Sequence, residues 1–235
     1  MHAFFGLILA GAVYLSTGPA HAQTTHPVDL DGEVVNFVVP EGYCVLDRSI
    51  PTHLTIFEHY YGENDPSTRV VMFFVNCDGL AAFTTIGETL DRVSDNGFYY
   101  TALDPDGSVT IFPAVNRGEL IRSLAEQYPD LPLAAAREGL SDALADGGGP
   151  PIGLFQSGLT SYDSDALYVS LIATSEVSGN LKIVGGGSAI TVVHDRPIFL
   201  GLSRLMEDEE AIDQLSDEVR QLMAAFLDAN PDSDN

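Results

Sequence analysis

Lysine is almost missing from this 235-residue chain. Lys182 is the only one, and with nine arginines it faces 34 aspartates and glutamates, for a formal charge of -24. Such a chain repels phosphate backbones, so nucleic acid is excluded as a partner, and anionic membrane surfaces are disfavoured for the same reason. Tryptophan is absent, which removes the usual platform for stacking a sugar. Charged residues make up only 19% against 45% hydrophobic ones, so the composition is that of a folded chain and not of a disordered acidic one. An acidic, lysine-poor surface serves solubility or salt tolerance, or attracts a cation or basic partner.

Long apolar runs are also scarce. One stands at the start, Ala3 to Leu15, followed by Ser16, Thr17, Gly18 and Pro19 and then Ala20-His21-Ala22. An uncharged apolar core ahead of an A-x-A pattern is the layout of a signal peptide, although Lys and Arg are missing from its first residues. The run is shorter than the roughly 20 residues needed to span a bilayer. The expectation is therefore a leader over residues 1–22, Gln23 as the new N-terminus, and a periplasmic or secreted protein without membrane insertion. Residues 23–235 are read as one domain with an acidic tail at 229–235.

Only two cysteines occur, Cys44 and Cys77. Neither belongs to a C-x-x-C pair, and no histidine lies at ligand spacing, so a structural zinc site has no support. In an oxidising compartment an even pair reads as a disulfide. No cofactor and no resident metal are expected.

Periodicity orders the chain. Gln23 to Asp29 reads as a loose arm, and Glu33 to Val39 as a strand closed by Pro40-Glu41-Gly42. Leu54, Phe57 and Tyr61 give a helical stripe from Thr52 to about Tyr61. Arg69 to Asn76 is a continuous apolar strand of the kind covered on both faces, and Leu80 to Ser94 carries a weaker helical pattern. Gly97–Leu103 and Ser108–Phe112 flank Asp104-Pro105-Asp106-Gly107, a type I turn sequence and the clearest hairpin signal. Asn116 is an N-cap for a helix to about Tyr128. A second helix is expected through Asp146, ended by Gly147-Gly148-Gly149-Pro150-Pro151, which lacks a phosphate-loop fingerprint. Strands follow at Ile152–Gln156, Ala166–Thr174, Leu181–Val193 and Ile198–Leu202, with Gly185-Gly186-Gly187 expected to break the third. Ile212, Leu215, Val219, Leu222, Met223 and Phe226 stripe a last helix from about Asp208 to Ala229. Clustered antiparallel strands among helices predict an α+β fold, mainly antiparallel sheet with flanking helices and a C-terminal amphipathic helix.

Catalytic spacing is hard to find. No G-x-S-x-G elbow occurs, and His194-Asp195 sits in a predicted tight turn. A hydrolase would have to assemble His53, His59 or His194 with carboxylates only in the fold. Of the pairs Asp29/Asp31, Asp104/Asp106 and Asp163/Asp165, the first two are followed by Gly and invite a calcium-loop reading, but their later loop positions lack the required Gly and Glu, and turn chemistry explains all three. Tyr60-Tyr61 and Phe98-Tyr99-Tyr100 offer either a groove or, by strand alternation, core with Phe98 and Tyr100 inward and Tyr99 on the other face.

Val35-Asn36-Phe37-Val38-Val39-Pro40-Glu41-Gly42-Tyr43 resembles the entry to PsbP-like domains, where an apolar strand runs into Pro-x-Gly-aromatic. The resemblance implies an exported or lumenal α+β domain with a central antiparallel sheet, acting as an accessory or assembly protein without catalysis. Cys44 and the helices before Gly147 depart from that pattern, and no functional residue carries over. The reading is a non-enzymatic binding or envelope-accessory protein for a protein or small-molecule partner, with the histidine hydrolase as alternative.

Overall fold

The computed structural model describes residues 23–61, 66–86, 93–112, 116–127, 155–177, 180–206 and 210–231. The expected leader, the expected helix through Asp146 and the glycine run at 147–149 lie outside these residues. Nine strands are described: β1 (Thr24–Leu30), β2 (Glu33–Val39), β3 (Tyr43–Val45), β4 (Thr68–Asn76), β5 (Asn96–Ala102), β6 (Phe155–Tyr162), β7 (Leu167–Val177), β8 (Asn180–Val193) and β9 (Arg196–Leu205). Four helices join them: α1 (Pro51–Tyr61), α2 (Cys77–Ile86), α3 (Arg117–Ala125) and α4 (Glu210–Asp228). Seven strands form one sheet in the order β3-β4-β5-β9-β8-β7-β6, with every neighbouring pair antiparallel, and β1-β2 form a separate ribbon. The fold is α+β, as expected.

The strands alternate, so each sheet face has its own core. On one face, Phe74, Tyr99, Leu200, Leu202 and Ala189 meet Phe37 of the ribbon and the stripe of α4. All six residues of that stripe, Ile212 to Phe226, are buried as the 3.6-residue period requires. At roughly 1.5–3 kcal/mol per side chain they contribute on the order of 10 kcal/mol before ordering entropy is subtracted. On the other face, Phe73, Val75 and Phe98 pack against Ile56 and Phe57 of α1 and Leu80 of α2, while Leu167 and Ile190 pack against Ile121 of α3.

Several expectations are corrected. Gln23–Asp29 is not a loose arm: Thr24 to Leu30 pair with β2, and the connection Asp31-Gly32 has φ 55° and 89°. An Asp-Gly pair with positive φ at both positions makes a two-residue hairpin turn. Pro27 lies opposite Asn36. It is tolerated there because the Asn36 N–H and C=O point away, both to the Asn230 side chain. In α1, Leu54 is exposed and Ile56 takes the buried place.

The second hairpin is shorter than its turn sequence suggests. Gly107 N–H reaches Asp104 C=O at 2.8 Å, closing the type I turn, but its outgoing arm keeps only the Leu103–Val109 bridge. The outgoing backbone finds other acceptors: Val109 N–H donates to Asp31 Oδ2 and Phe112 N–H to Asp195 C=O. Helix α2 begins earlier than Leu80, because the Asn76 side chain accepts from Asp78 and Gly79 N–H and caps it.

Gly185, Gly186 and Gly187 do not break β8, which pairs residue for residue on both sides. Their meaning is close approach. A Cβ on Gly187 would stand 2.8 Å from Val219 Cγ2, and one on Gly185 would overlap Met206, so bare backbone lets α4 and Met206 settle onto the sheet. The aromatic alternation is also inverted. Tyr99 is the fully buried core residue, and Phe98 and Tyr100 lie on the opposite face. The stretch expected as an acidic tail at 229–235 is anchored at its start, where Asn230 is buried.

Candidate functional site

The sheet edge around β3 carries the densest polar grouping. Tyr43 opens β3 opposite Asn76, and the next residue, Cys44, is bonded to Cys77 at the start of α2, with Cα atoms 5.1 Å apart. That separation lies inside the 7 Å limit for such a bond. The crosslink holds the β3–β4 corner and thereby the Tyr43 ring, which packs edge-on against Phe74 at 5.5 Å. Tyr43 O–H donates to Asp95 Oδ1 at 2.6 Å. Burial, then the hydrogen bond and charge of Asp95, hold its phenol protonated far above the usual tyrosine range.

Arg204 of β9 completes the group. Its two terminal nitrogens reach Glu218 of α4 at 2.9 and 2.5 Å, a bidentate pair, and one of them lies 3.6 Å from Asp95. Burial opposes the guanidinium charge, but the Glu218 bonds and the Asp95 charge outweigh it and keep Arg204 protonated. Beside this network is a cleft of about 270 Å³, lined by Gln23, Pro40, Glu41, Tyr43, Leu202, Glu218, Gln221 and Leu222. It has an apolar floor and a polar rim, a form suited to holding a small molecule or an inserted side chain. Two of its lining residues, Glu41 and Glu218, are acidic, and Glu218 is paired with Arg204. A second cavity of about 210 Å³ beneath α3 is almost wholly apolar, lined by Ile121, Leu124, Ile190, Phe199 and their neighbours.

The histidines go to separate places. His53 Nδ1 accepts from Asp47 N–H at 3.0 Å at the entry to α1, and exposed His59 lies against its neighbour Tyr60. His194, in the β8–β9 turn with φ 48°, has Nδ1 3.0 Å from Glu33 Oε1 but outside hydrogen-bonding alignment. Among the described residues no group of three His, Cys, Asp or Glu side chains is placed to hold a metal ion.

The three aspartate pairs act in turns. Asp29 Oδ1 accepts from Gly32 N–H, Asp106 from Ser108, and Asp163 from Asp165 and Ala166 N–H. Asp31 is held below the usual carboxylate range, chiefly by the Val109 N–H and then by Arg69. Tyr60 and Tyr61 are packing residues: Tyr61 stacks edge-on with Phe73 and Phe98, while Tyr100 lies flat on Phe199 at 4.5 Å. Sequence reasoning missed Tyr43, Asp95, Arg204 and Glu218 as a group. They come from four separate segments, and only the Pro-Glu-Gly-Tyr turn marked one of them.

No helix among the described residues is long and apolar enough to cross a membrane. An antiparallel sheet with helices on both faces, strapped by one disulfide, is the class that fold and site define. No protein-family model matches the chain, and no curated protein does. Its fold is similar to the solution structure of cyanobacterial PsbP (CyanoP) from Synechocystis sp. PCC 6803, at 14% identity over 92% of this chain and 96% of that one, with a TM-score of 0.37. At that score the likeness carries no argument about role.

Proposed function

We propose that residues 23–235 form an exported, periplasmic or secreted domain that binds a small molecule or a protein partner and performs no catalysis. The observation that carries the reading is the Cys44–Cys77 bond, because such bonds persist outside the reducing cytosol. The A-x-A pattern before Gln23 supports the same compartment. The binding half draws on the cleft, whose strongest polar groups are committed to one another and so serve to shape and charge a surface. A hydrolase based on His53, His59 or His194 has no comparable support, since each histidine sits in its own surroundings.

Fractionation with intact mass measurement tests the compartment. The expected product is residues 23–235, outside the cytosol, gaining two hydrogens on reduction. Full-length chain with free thiols in the cytosolic fraction overturns it. Capture of a defined partner from envelope extract, abolished by Gln221→Trp plugging the cleft, tests the binding role. Capture indifferent to that substitution removes the cleft from it.

A further inference from the structure

The cleft and the processing site meet at one residue. Gln23 lines the cavity together with Glu41 and Glu218. The β1–β2 register pairs Thr24 with Val39, which sets Gln23 across from Pro40 and next to Glu41. Gln23 is also the residue that the Ala20-His21-Ala22 pattern exposes as a new terminus. From this juxtaposition we propose that leader removal delivers the α-ammonium of Gln23 into the acidic cleft, so that the chain fills its own cation site only once it is mature. The inference rests on the export reading above.

The chemistry balances. Hydrolysis of the Ala22–Gln23 bond gives the water oxygen to the acyl carbon of Ala22, which leaves as a carboxylate. Both water protons end on the Gln23 nitrogen, which becomes an ammonium. Before cleavage that nitrogen is a neutral amide with no charge to offer. Afterwards it is the terminal group of a residue that lines the cleft with Glu41 and Tyr43 from the β2–β3 side and Glu218 and Gln221 from α4, and Glu218 and Asp95 in turn flank Arg204. Among the described residues Arg204 is the cation beside these carboxylates, and its charge is already shared by Glu218 and Asp95. The excess carboxylate favours the charged amine. A docked amine titrates above the ordinary α-amino value of about 7.7. Its stabilisation is then complete below that value and is lost as pH rises through the raised one. An N-terminal glutamine also carries an off state. Its α-nitrogen can attack its own side-chain carboxamide carbon and expel ammonia, leaving an uncharged lactam.

The single lysine makes the test clean. The full chain carrying Gln23→Ala, which cannot cyclise, is expressed in an exporting host and recovered after processing. Reductive methylation with ¹³C-formaldehyde then labels only the α-amine and Lys182, and Lys182 is exposed and serves as an internal reference. We expect the α-amine to titrate at least about half a unit above its ordinary value, and to return to it in the Glu41→Gln variant. If the mass shows a start at residue 23 but the amine titrates normally and ignores Glu41→Gln, docking is overturned and export stands. If the mass retains the leader, the export reading fails and the docking falls with it.

Discussion

Substituting Asn230 by alanine tests how the last helix is fastened. Its side chain lies in the gap between the end of α4 and the edge of β2 that β1 does not cover. There Oδ1 accepts from Asn36 N–H at 2.8 Å, while Nδ2 donates to Asn36 C=O at 2.8 Å and to Phe226 C=O at 2.7 Å. The first two bonds imitate one rung of a β-ladder with a side-chain amide. The third satisfies a carbonyl that the helix itself leaves without a partner. Asn230→Ala strands three backbone groups at a site only 2% exposed. At about 1 kcal/mol for each lost bond the destabilisation is about 3 kcal/mol. For a chain of this size that lowers Tm by roughly 6–12 °C. Asn230→Asp is a sharper probe, because at neutral pH a carboxylate keeps the acceptor and loses both donors, turning its second oxygen toward two carbonyls. It should cost at least as much as alanine. Thermal melting followed by circular dichroism decides it, and an Asn230→Ala midpoint within 1 °C or so of wild type would refute the argument.

Other consequences are measurable. Replacing Cys44 and Cys77 together by serine opens a closed loop with a sequence separation of 33 and should cost about 3–4 kcal/mol by loop entropy, read from denaturant midpoints. Gly187→Ala pushes a methyl to 2.8 Å from Val219 Cγ2 and should cost about 1–3 kcal/mol as overpacking, whereas exposed Gly107→Asn should cost less because Asn tolerates positive φ. The lowered pKa of Asp31 makes a signed pH prediction. Its contribution is present above the ordinary carboxylate value and lost as pH falls through the folded one. Asp31→Asn keeps the positive-φ turn and removes the charge, so the acid limb of its stability curve should be flatter than that of wild type.

Element type was legible wherever a single period ran undisturbed. The stripe of α4, the apolar β4 and the Asn116 cap, whose side chain accepts from Glu119 N–H, all follow from local pattern. The misreadings share one cause, that a distant segment supplied what the local sequence lacked. Polar Thr24–Leu30 becomes a strand because β2 offers it a ladder. The Gly185–Gly187 run reads as a break, yet Gly187 seats α4 and Gly185 seats Met206, and nothing in the local sequence announces that. Tyr99 is inward because its O–H reaches Val38 C=O at 2.8 Å across the core, and periodicity cannot choose between two covered faces. For the candidate site, Cys44 and Cys77 were legible from compartment logic. The Tyr43–Asp95–Arg204–Glu218 group was not, since its members are joined only by tertiary contact.

The strand order has a consequence for how the molecule comes together. β3, β4 and β5 are gathered from the first half of the chain, and β6 through β9 form an uninterrupted meander from the second. The two assemblies touch within the sheet along one line, β5 against β9, from Asn96–Ser203 to Thr101–Ile198. Partners on that line stand on the order of 100 residues apart, so closing it is the slow, late event, while each half zips up locally. The sulfur bridge lies wholly within the first half and does nothing to hold the halves together. A chain nicked between Ala102 and Phe155 therefore has the makings of a split pair, two fragments that find each other through one strand pairing and the packing of α4 on the β1–β2 ribbon.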